Sequence, residues 1–199
     1  SRGLGDVYNR QPLNTVVGFS ELLSAEQDLS EEEIQEYSAA IKNNSEKLLA
    51  LINNILDLSR LEAGMMRFNV QECDAVQLCQ EVKMMVNMQT TMVNPHFHTE
   101  LEALSIQADS RWFLKLLSSL LSVPRLYTGE VCQVEYALTQ EDQYLKITVK
   151  GSPLYQIWED EQEQRILHDI NRLYLEAFKG SYQISEGEQK VVTITYPLS

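Results

Sequence analysis

A heptad repeat between residues 34 and 58 constrains the fold of this chain more than any other feature of its sequence. The repeat has two recurring positions, and both are mostly apolar. The first position is occupied by Ile34, Ile41, Leu48 and Ile55, and the second by Tyr37, Asn44, Leu51 and Leu58. This period is typical of a helix that packs along one seam against other helices. Ser30 followed by three glutamates predicts a capping box, and Gly64 predicts a left-handed C-cap, so we expect one helix from about Glu31 to Ala63.

A second amphipathic segment precedes this helix. Its apolar residues recur at helical spacing, and they are Leu13, Val16, Val17, Phe19, Leu22 and Leu23. With a short connection at residues 27–29, the two segments predict a helical hairpin. Because a hairpin cannot bury apolar stripes on two sides by itself, we expect it to pair with a second copy as a four-helix bundle. The predicted dimer interface consists of Leu13, Val16 and Leu23 with the eight seam residues, among which Asn44 would define the register.

The hydrophobic period changes after Gly64 and predicts an α/β half. We expect strands at 66–73, 97–103 and 105–108, helices at 74–92, 109–122 and 160–178, a hairpin over 131–151 and a closing hairpin over 180–197. Strands that pair mostly antiparallel, with helices gathered on one face, make a two-layer sandwich. The predicted fold class is therefore α+β, with a dimerisation hairpin over residues 1–65 and an α/β sandwich domain over residues 66–199.

Composition narrows the partners and the compartment. The formal charge of −13 argues against nucleic acid and anionic lipid surfaces, because like charges repel. The three cysteines, Cys73, Cys79 and Cys132, match no metal-ligand spacing and predict reduced core residues of a cytoplasmic protein. No apolar run approaches the roughly 20 residues that cross a bilayer. The abrupt start of the sequence is compatible with an upstream sensor or membrane region, of which this chain would be the cytoplasmic part.

Four segments carry a resemblance to a known family. They are PLNTVVGFSELL in the first helix, YSAAIKNNSEKLLALINNILDLSRLEAG in the second, DSRWFLKLLSSLLS in the α/β half and GSYQISEGEQKVVTITYPL near the C-terminus. Together they resemble the two-component sensor histidine kinases over nearly the whole chain. The resemblance implies a homodimeric helical bundle that carries a phosphoacceptor histidine. It also implies an ATPase-type α/β sandwich that delivers the γ-phosphate of Mg-ATP to that histidine.

The resemblance places the phosphoacceptor motif, His-Glu-x-x-x-Pro-Leu, at the start of the first helix. Aligning the motif through Pro12 and Leu13 puts Val7 at the histidine and Tyr8 at the glutamate. Phosphoryl transfer requires a nucleophilic nitrogen with a lone pair, which valine lacks. A phenol with an ordinary pKa of about 10 is a poor base near neutrality. We therefore expect no catalytic residue at these positions.

The nucleotide motifs that the family implies are also altered. Ser119 and Val123 stand at the two asparagine positions, the second of which binds Mg²⁺ in the family, and valine offers no oxygen ligand. At the Asp-x-Gly-x-Gly turn, Lys150 stands at the adenine-binding aspartate, and Ser152 and Leu154 stand at the two glycines. Lysine is a pure donor, so it cannot accept a hydrogen bond from the adenine amino group. We expect neither ATP nor Mg²⁺ nor any other cofactor.

These substitutions predict a catalytically inactive histidine-kinase-like module, a pseudokinase, that acts by dimerisation and partner binding. The expected partners are a second copy of the chain, and a response-regulator receiver or an active histidine kinase. By analogy with the family, candidate contact residues are Val16, Val17, Phe19 and Ser20 in the first helix and Asn53, Asn54 and Asp57 in the second. An equally good interpretation is that these residues pack or face water. Two alternatives stay open, an active ATP-dependent protein-histidine kinase and a histidine phosphotransfer protein, each using a non-standard site.

The histidines and methionines have competing interpretations. His96 and His98 share a strand face and would begin a metal site, but without an obvious third ligand we interpret them as surface residues. The lone His168 is interpreted as packed or solvated. A helical stripe of methionines is predicted to fill the core against the sheet rather than to form an adaptable partner surface, and its members are Met84, Met88 and Met92.

Overall fold

The computed structural model describes residues 5–25, 28–124, 127–158, 161–187 and 190–198, with side chains from residue 12 in the first helix and from residue 162 in the last. The chain divides into two compact units, Ser1–Asp57 and Leu58–Ser199. The domain boundary predicted near residue 65 lies a few residues beyond the division between these two units. Within the ranges just given, no helix is both long and apolar enough to cross a bilayer.

The helices of the hairpin begin and end close to where the sequence predicts. Helix α1 spans Gly5–Ala25 and helix α2 spans Glu31–Glu62. The capping box is present, because the Ser30 N–H donates to Glu33 Oε2 at 2.9 Å and the Glu33 N–H donates to Ser30 Oγ at 3.2 Å. At the other end Gly64 has φ = 64°, the left-handed conformation of a C-cap residue.

The predicted seam residues differ in their exposure within one chain. Leu51 is buried, and Phe19 of α1 packs on Tyr37 of α2 with ring centroids 5.1 Å apart. Asn44 donates its amide to the Ala40 carbonyl at 2.9 Å, one turn earlier in the same helix. A second apolar stripe of α2 is exposed, and it consists of Leu49, Ile52 and Leu56 at 59%, 50% and 46%. The hairpin therefore presents an apolar stripe that a single chain leaves uncovered.

The second unit alternates strands and helices. In chain order its elements are β1 Gln71–Asp74, α3 Ala75–Gln89, β2 Val93–His98, β3 Ser105–Ala108, α4 Ser110–Leu121, β4 Cys132–Glu141, β5 Tyr144–Lys150, α5 Pro153–Gln156, α6 Glu161–Ala177, β6 Ser181–Ile184 and β7 Val191–Pro197. The main sheet has the order β2-β4-β5-β7-β6. Among these strands β2 pairs with β4 in parallel, and the other neighbours in the sheet are antiparallel. β1 and β3 form a separate antiparallel pair.

The core lies between one face of the main sheet and the helices. Alternate residues of β4, β5 and β7 are buried, and the residues between them are polar or partly exposed. Tyr136 of β4 is 1% exposed, and its hydroxyl donates to the Cys79 carbonyl of α3 at 2.7 Å. Cys79 and Cys132 are buried and unpaired, as predicted, whereas Cys73 is only half-buried. This arrangement confirms the predicted two-layer α+β fold.

Three elements differ from the predicted ones. Residues 65–70 lie outside any strand, and β1 begins only at Gln71. β2 lies at 93–98 rather than 97–103 and contains Pro95, which an edge strand tolerates because one side of it has no ladder to complete. Helix α5 has no counterpart in the prediction, because four residues are too few to show a helical period.

The methionine stripe on α3 does not fill the core, and that prediction is wrong for two of its members. Met84 is 61% exposed and Met88 is 88% exposed, while Met92 lies half-buried beyond the helix. The buried face of α3 consists of Ala75, Val76, Leu78, Cys79, Val82 and Val86. Residues two positions away from 82 and 86 point to the opposite side of a helix, so the rotation of α3 turns both methionines outward.

His96 and His98 are exposed on β2, as the surface interpretation predicts. The part of the chain that the structure describes holds no group of three His, Cys, Asp or Glu side chains that could bind a metal ion.

Lys179, just after α6, has a strained backbone conformation. Its φ of 60° lies in the left-handed region, which disfavours residues other than glycine. Replacing Lys179 with glycine is therefore expected to raise the free energy of unfolding by about 1 kcal/mol. Urea titration measures this change. Lys179→Ala is the control, because alanine keeps the Cβ that causes the strain, and a comparable gain in that variant would contradict the explanation.

Candidate functional site

Helix α4 carries Ser119, the first position that the resemblance assigns to the nucleotide site. It begins after Asp109, whose carboxylate caps the helix by accepting from the backbone N–H groups of Arg111 and Trp112. The same carboxylate accepts from the Asn69 N–H at 2.8 Å, so the segment before β1 is tied to the start of α4. The opposite end of α4 carries Ser119, which is 8% exposed.

The turn after β5 brings two more of the predicted positions to that end of α4. Gly151 makes the turn with φ = 73°. Ser152 is 1% exposed, and its hydroxyl donates to the Leu120 carbonyl at 2.7 Å. The Leu154 side chain is fully buried in the core. Ser152 and Leu154 therefore lie against the turn of α4 that holds Ser119.

Residues 152–158, which we call the plug segment, are held in place by further hydrogen bonds. Trp158 Nε1 donates to the Ser122 carbonyl at 3.2 Å, and the Gln164 amide of α6 donates to the Leu154 carbonyl at 2.6 Å. The carbonyls at the end of a helix have no partner inside the helix itself. The plug segment therefore satisfies the end of α4 with side chains of the same chain.

A hydrogen-bonded group of side chains, which we call the tyrosine cluster, joins the plug segment to α6 and β6. The Tyr155 hydroxyl lies 3.1 Å from His168 Nδ1 and 2.5 Å from the Tyr182 hydroxyl. Asn171 lies beside the Tyr182 hydroxyl, whose pKa it acts to lower, and it donates to Ser119 Oγ at 2.9 Å. The Ser119 hydroxyl in turn donates to a carbonyl of its own helix. The tyrosine cluster thus reaches from the plug segment to Ser119.

Burial sets the protonation states of the tyrosine cluster. Burial raises the pKa of the Tyr182 hydroxyl to about 12. The pKa of Tyr155 is raised by its own burial and by the neighbouring Tyr182. The pKa of His168 is lowered, mainly by burial; Asp169 opposes the shift and Arg172 adds to it. Near neutral pH the cluster is therefore uncharged.

The remaining predicted site residues are not among the hydrogen-bonded side chains described above. Lys150 is exposed at the end of β5, and Val123 is half-buried against the core. Val7 and Tyr8 belong to α1, but their side chains lie outside the described residues.

The candidate contact residues of the hairpin differ in accessibility. Val17 is 47% exposed and Asn53 is also exposed. Phe19 packs on Tyr37, and Ser20 donates to the Val16 carbonyl at 2.7 Å. Asn54 and Asp57 are half-buried, so Val17 and Asn53 are the most open members of this set.

The sequence did not reveal the tyrosine cluster. Tyr155, Tyr182 and Asn171 are isolated polar or aromatic residues, and their bonded partners are 13 to 52 residues away in the chain. His168 was interpreted as packed or solvated, and it is in fact part-buried with a specific partner. No short-range pattern signals such contacts.

The class of protein that the structure defines is a two-helix hairpin followed by a two-layer α/β sandwich. Residues 10–64 match the His Kinase A (phospho-acceptor) domain family. An uncharacterized sensor-like histidine kinase of Rhizobium meliloti is 26% identical over an alignment of 217 positions, which covers 94% of this chain and 40% of that protein. The chain thus spans less than half the length of this relative.

Solved structures share the whole architecture. The histidine kinase AdeS of Acinetobacter baumannii superposes with a TM-score of 0.70 at 16% identity, covering 96% of both chains. The histidine kinase ThkA, solved in complex with the response regulator protein TrrA, gives a TM-score of 0.68 at 16% identity, covering 96% of this chain and 59% of that one. These likenesses confirm the fold. The sequence matches support the resemblance of this chain to the two-component sensor histidine kinases.

Proposed function

We propose that this chain is a catalytically inactive signalling module of a two-component system, which acts by dimerisation and by binding a partner. The partner is a response-regulator receiver or an active histidine kinase, held without exchange of phosphate. The observation that carries the proposal is the full burial of Leu154, the residue that the resemblance assigns to a glycine of the nucleotide site.

The residues at the nucleotide positions do not fit Mg-ATP. Val123 offers only hydrocarbon where Mg²⁺ requires an oxygen ligand, and the Ser119 hydroxyl is already bonded to Asn171 and to its own helix. The resemblance puts Lys150 at the adenine-binding aspartate, and its exposed ammonium is a donor like the adenine amino group. We therefore derive no phosphoryl-transfer step for this chain.

The start of the hairpin supports the same proposal. The match to the phospho-acceptor family begins at residue 10, after the position at which the resemblance places the histidine. Val7 has no lone pair, and the sequence contains no histidine before His96. A receiver bound to this hairpin would find no imidazole nitrogen to accept a phosphoryl group.

The exposed stripe of α2 supports dimerisation. Leu49, Ile52 and Leu56 follow one another at three- and four-residue spacing, so they share one helix face. Contiguous exposed apolar surface of this kind marks interaction sites. A second copy would cover it together with Ile34 and Leu13 of the predicted interface, which are 43% and 49% exposed.

Receiver binding is proposed by analogy with ThkA, whose solved complex contains a response regulator. The hairpin supplies open positions for such a contact at Val17 and Asn53.

Calorimetric titration with Mg-ATP tests the nucleotide half of the proposal. We expect no binding tighter than a Kd of about 1 mM, which corresponds to about −4.1 kcal/mol. Val123→Asn restores one oxygen ligand and should remain unable to bind, because the plug segment is unchanged. Binding by the natural chain tighter than about 1 mM, or transfer of label from γ-labelled ATP to it, would overturn the proposal.

Incubation with a phosphorylated receiver, read by intact mass, tests the phosphoacceptor half. The natural chain should stay unmodified, because Val7 cannot be phosphorylated. The matched variant Val7→His/Tyr8→Glu restores both motif residues and should gain the mass of one phosphoryl group. A phosphorylated natural chain would contradict the inactive assignment, and an unmodified double variant would contradict the receiver as partner.

A further inference from the structure

The outer face of α3 carries two exposed methionines, Met84 and Met88, which we call the methionine pair. They are 61% and 88% exposed, and their spacing of four residues places them one helical turn apart on the same side. The opposite side of α3 carries Val82 and Val86, which are buried among the other residues of the core. Both thioethers therefore face water, while the helix that carries them is packed on its other side.

The side chains that share the face of the methionine pair are uncharged. Helical spacing places Gln77, Gln80 and Asn87 on this face, and all three are exposed. Glu81 and Lys83 follow at its two borders, where both are half-buried. Because an amide donates hydrogen bonds as well as accepting them, the methionine pair has donors within one helical turn.

A peroxide oxidises an accessible thioether in one step. The sulfur lone pair attacks one oxygen of hydrogen peroxide, so that an S–O bond forms while the O–O bond breaks. The second oxygen leaves as water, after a proton has moved to it from the first oxygen. The sulfur gives two electrons to the peroxide, and the product is methionine sulfoxide, which methionine sulfoxide reductases convert back to the thioether.

We propose that the methionine pair is a reversible oxidation site, at which a peroxide converts both thioethers to sulfoxides while the sandwich stays folded. Oxidation replaces an apolar surface with polar sulfoxide oxygens, to which water and the amides of Gln80 and Asn87 can donate. The oxygen is added on the water side of α3, so the contacts of Val82 and Val86 in the core are kept. The inference goes beyond the proposed function and does not depend on it.

The other four methionines of the chain are internal references for this site. Met65 is 69% exposed in the segment between α2 and β1, so it should react at a rate similar to that of Met84. Met66, Met85 and Met92 are half-buried, so their sulfurs are harder for an oxidant to reach.

Treatment of the intact chain with hydrogen peroxide, read by peptide mapping and mass spectrometry, tests the order of oxidation. We expect Met84 and Met88 to gain oxygen roughly fivefold to tenfold faster than Met85 and Met92, because susceptibility follows exposure. Oxidation of Met85 or Met92 at the rate of the methionine pair would overturn the proposal.

Urea unfolding tests whether the sandwich stays folded. A chain treated until oxidation of the methionine pair is complete should unfold at the same urea concentration as the untreated chain, because the added oxygens lie in water. Methionine sulfoxide reductases A and B together should then restore both thioethers, since each enzyme acts on one sulfoxide epimer. A lowered unfolding midpoint, or sulfoxides that the reductases leave in place, would overturn the proposal.

Two double variants assign the rapid phase of oxidation to this face of α3. Met84→Leu/Met88→Leu keeps apolar side chains of similar volume but removes both sulfurs, so the rapid phase should be confined to Met65. Met85→Leu/Met92→Leu is the matched control and should keep the rapid phase of the natural chain. An unchanged rapid phase in Met84→Leu/Met88→Leu would show that other sulfurs react and would overturn the proposal.

The two proposals of this article's chain fail separately. Nucleotide binding by the natural chain would end the inactive assignment and leave the oxidation of α3 as measured. Equal oxidation of exposed and half-buried methionines would end the oxidation site and leave the calorimetric result as it stands.

Discussion

Replacing Gly151 with alanine is expected to lower the free energy of unfolding of the sandwich by about 3 kcal/mol or more. Gly151 has φ = 73°, and the left-handed conformation alone costs alanine about 1–2 kcal/mol. In addition, the new Cβ would overlap the carbonyl oxygen of Gln133 in the neighbouring strand β4. That oxygen belongs to the backbone, so it cannot turn away as a flexible side chain would. The strands must separate locally, and the plug segment that follows the turn should loosen with them.

Gly64→Ala separates the two causes. Gly64 has a similar φ of 64°, but no atom lies within 4 Å of its added Cβ. Only the backbone conformation then opposes alanine, and we expect a loss of about 1 kcal/mol. Urea unfolding of the two variants measures both losses. Equal losses would contradict the role assigned to the Gln133 carbonyl.

Asp109→Ala is expected to lower the free energy of unfolding by about 2–3 kcal/mol. The carboxylate is 1% exposed and accepts from three backbone N–H groups, those of Asn69, Arg111 and Trp112. Loss of a helix cap costs about 0.5–2 kcal/mol, and the Asn69 bond to a charged acceptor adds about 1 kcal/mol or more. The variant should also free residues 65–70 from α4, which hydrogen exchange of that segment would detect.

Two control variants accompany Asp109→Ala. Asp109→Asn keeps one oxygen to cap α4 but loses the acceptor for Asn69, so about half of the loss is expected. Arg111→Ala removes a guanidinium that lies 3.9 Å from the Asp109 carboxylate but is 81% exposed, and it should change stability by less than about 0.5 kcal/mol. A large loss in Arg111→Ala would show that the ion pair, rather than the cap, holds this end of α4.

The ends of α2 could be predicted because the signals that define them are local. The Ser30–Glu33 capping box and the left-handed Gly64 act within one helical turn, so a short stretch of sequence contains both partners. The hairpin of β4 and β5 was predictable for a related reason, since its alternating pattern and its turn are contiguous. The rotation of α3 about its axis could not be predicted from the sequence. Met84 and Met88 are as apolar as the buried residues of α3, and their outward position depends on which face meets the sheet.

The assignment of residues to the nucleotide site stays a prediction, although the fold brings some of them together. The resemblance selected Ser119, Ser152 and Leu154, and the fold brings these three to the same end of α4. It also selected Lys150, which the structure leaves in solvent at the end of β5. The assignment of Val7 and Tyr8 to the phosphoacceptor motif stays a prediction. The hydrogen bonds that occupy the site come from Tyr155, Trp158 and other residues with no sequence signal.

The sequence by itself determined the helical hairpin, its caps, the order of the strands and the longer helices, and the absence of a histidine from the first helix. These features depend on residue identity and on contacts between near neighbours in the chain. Only the tertiary structure decided that the plug segment covers α4 and that His168 bonds to Tyr155. Such contacts join residues that are far apart in sequence, and their geometry follows from how the helices turn and pack on the sheet.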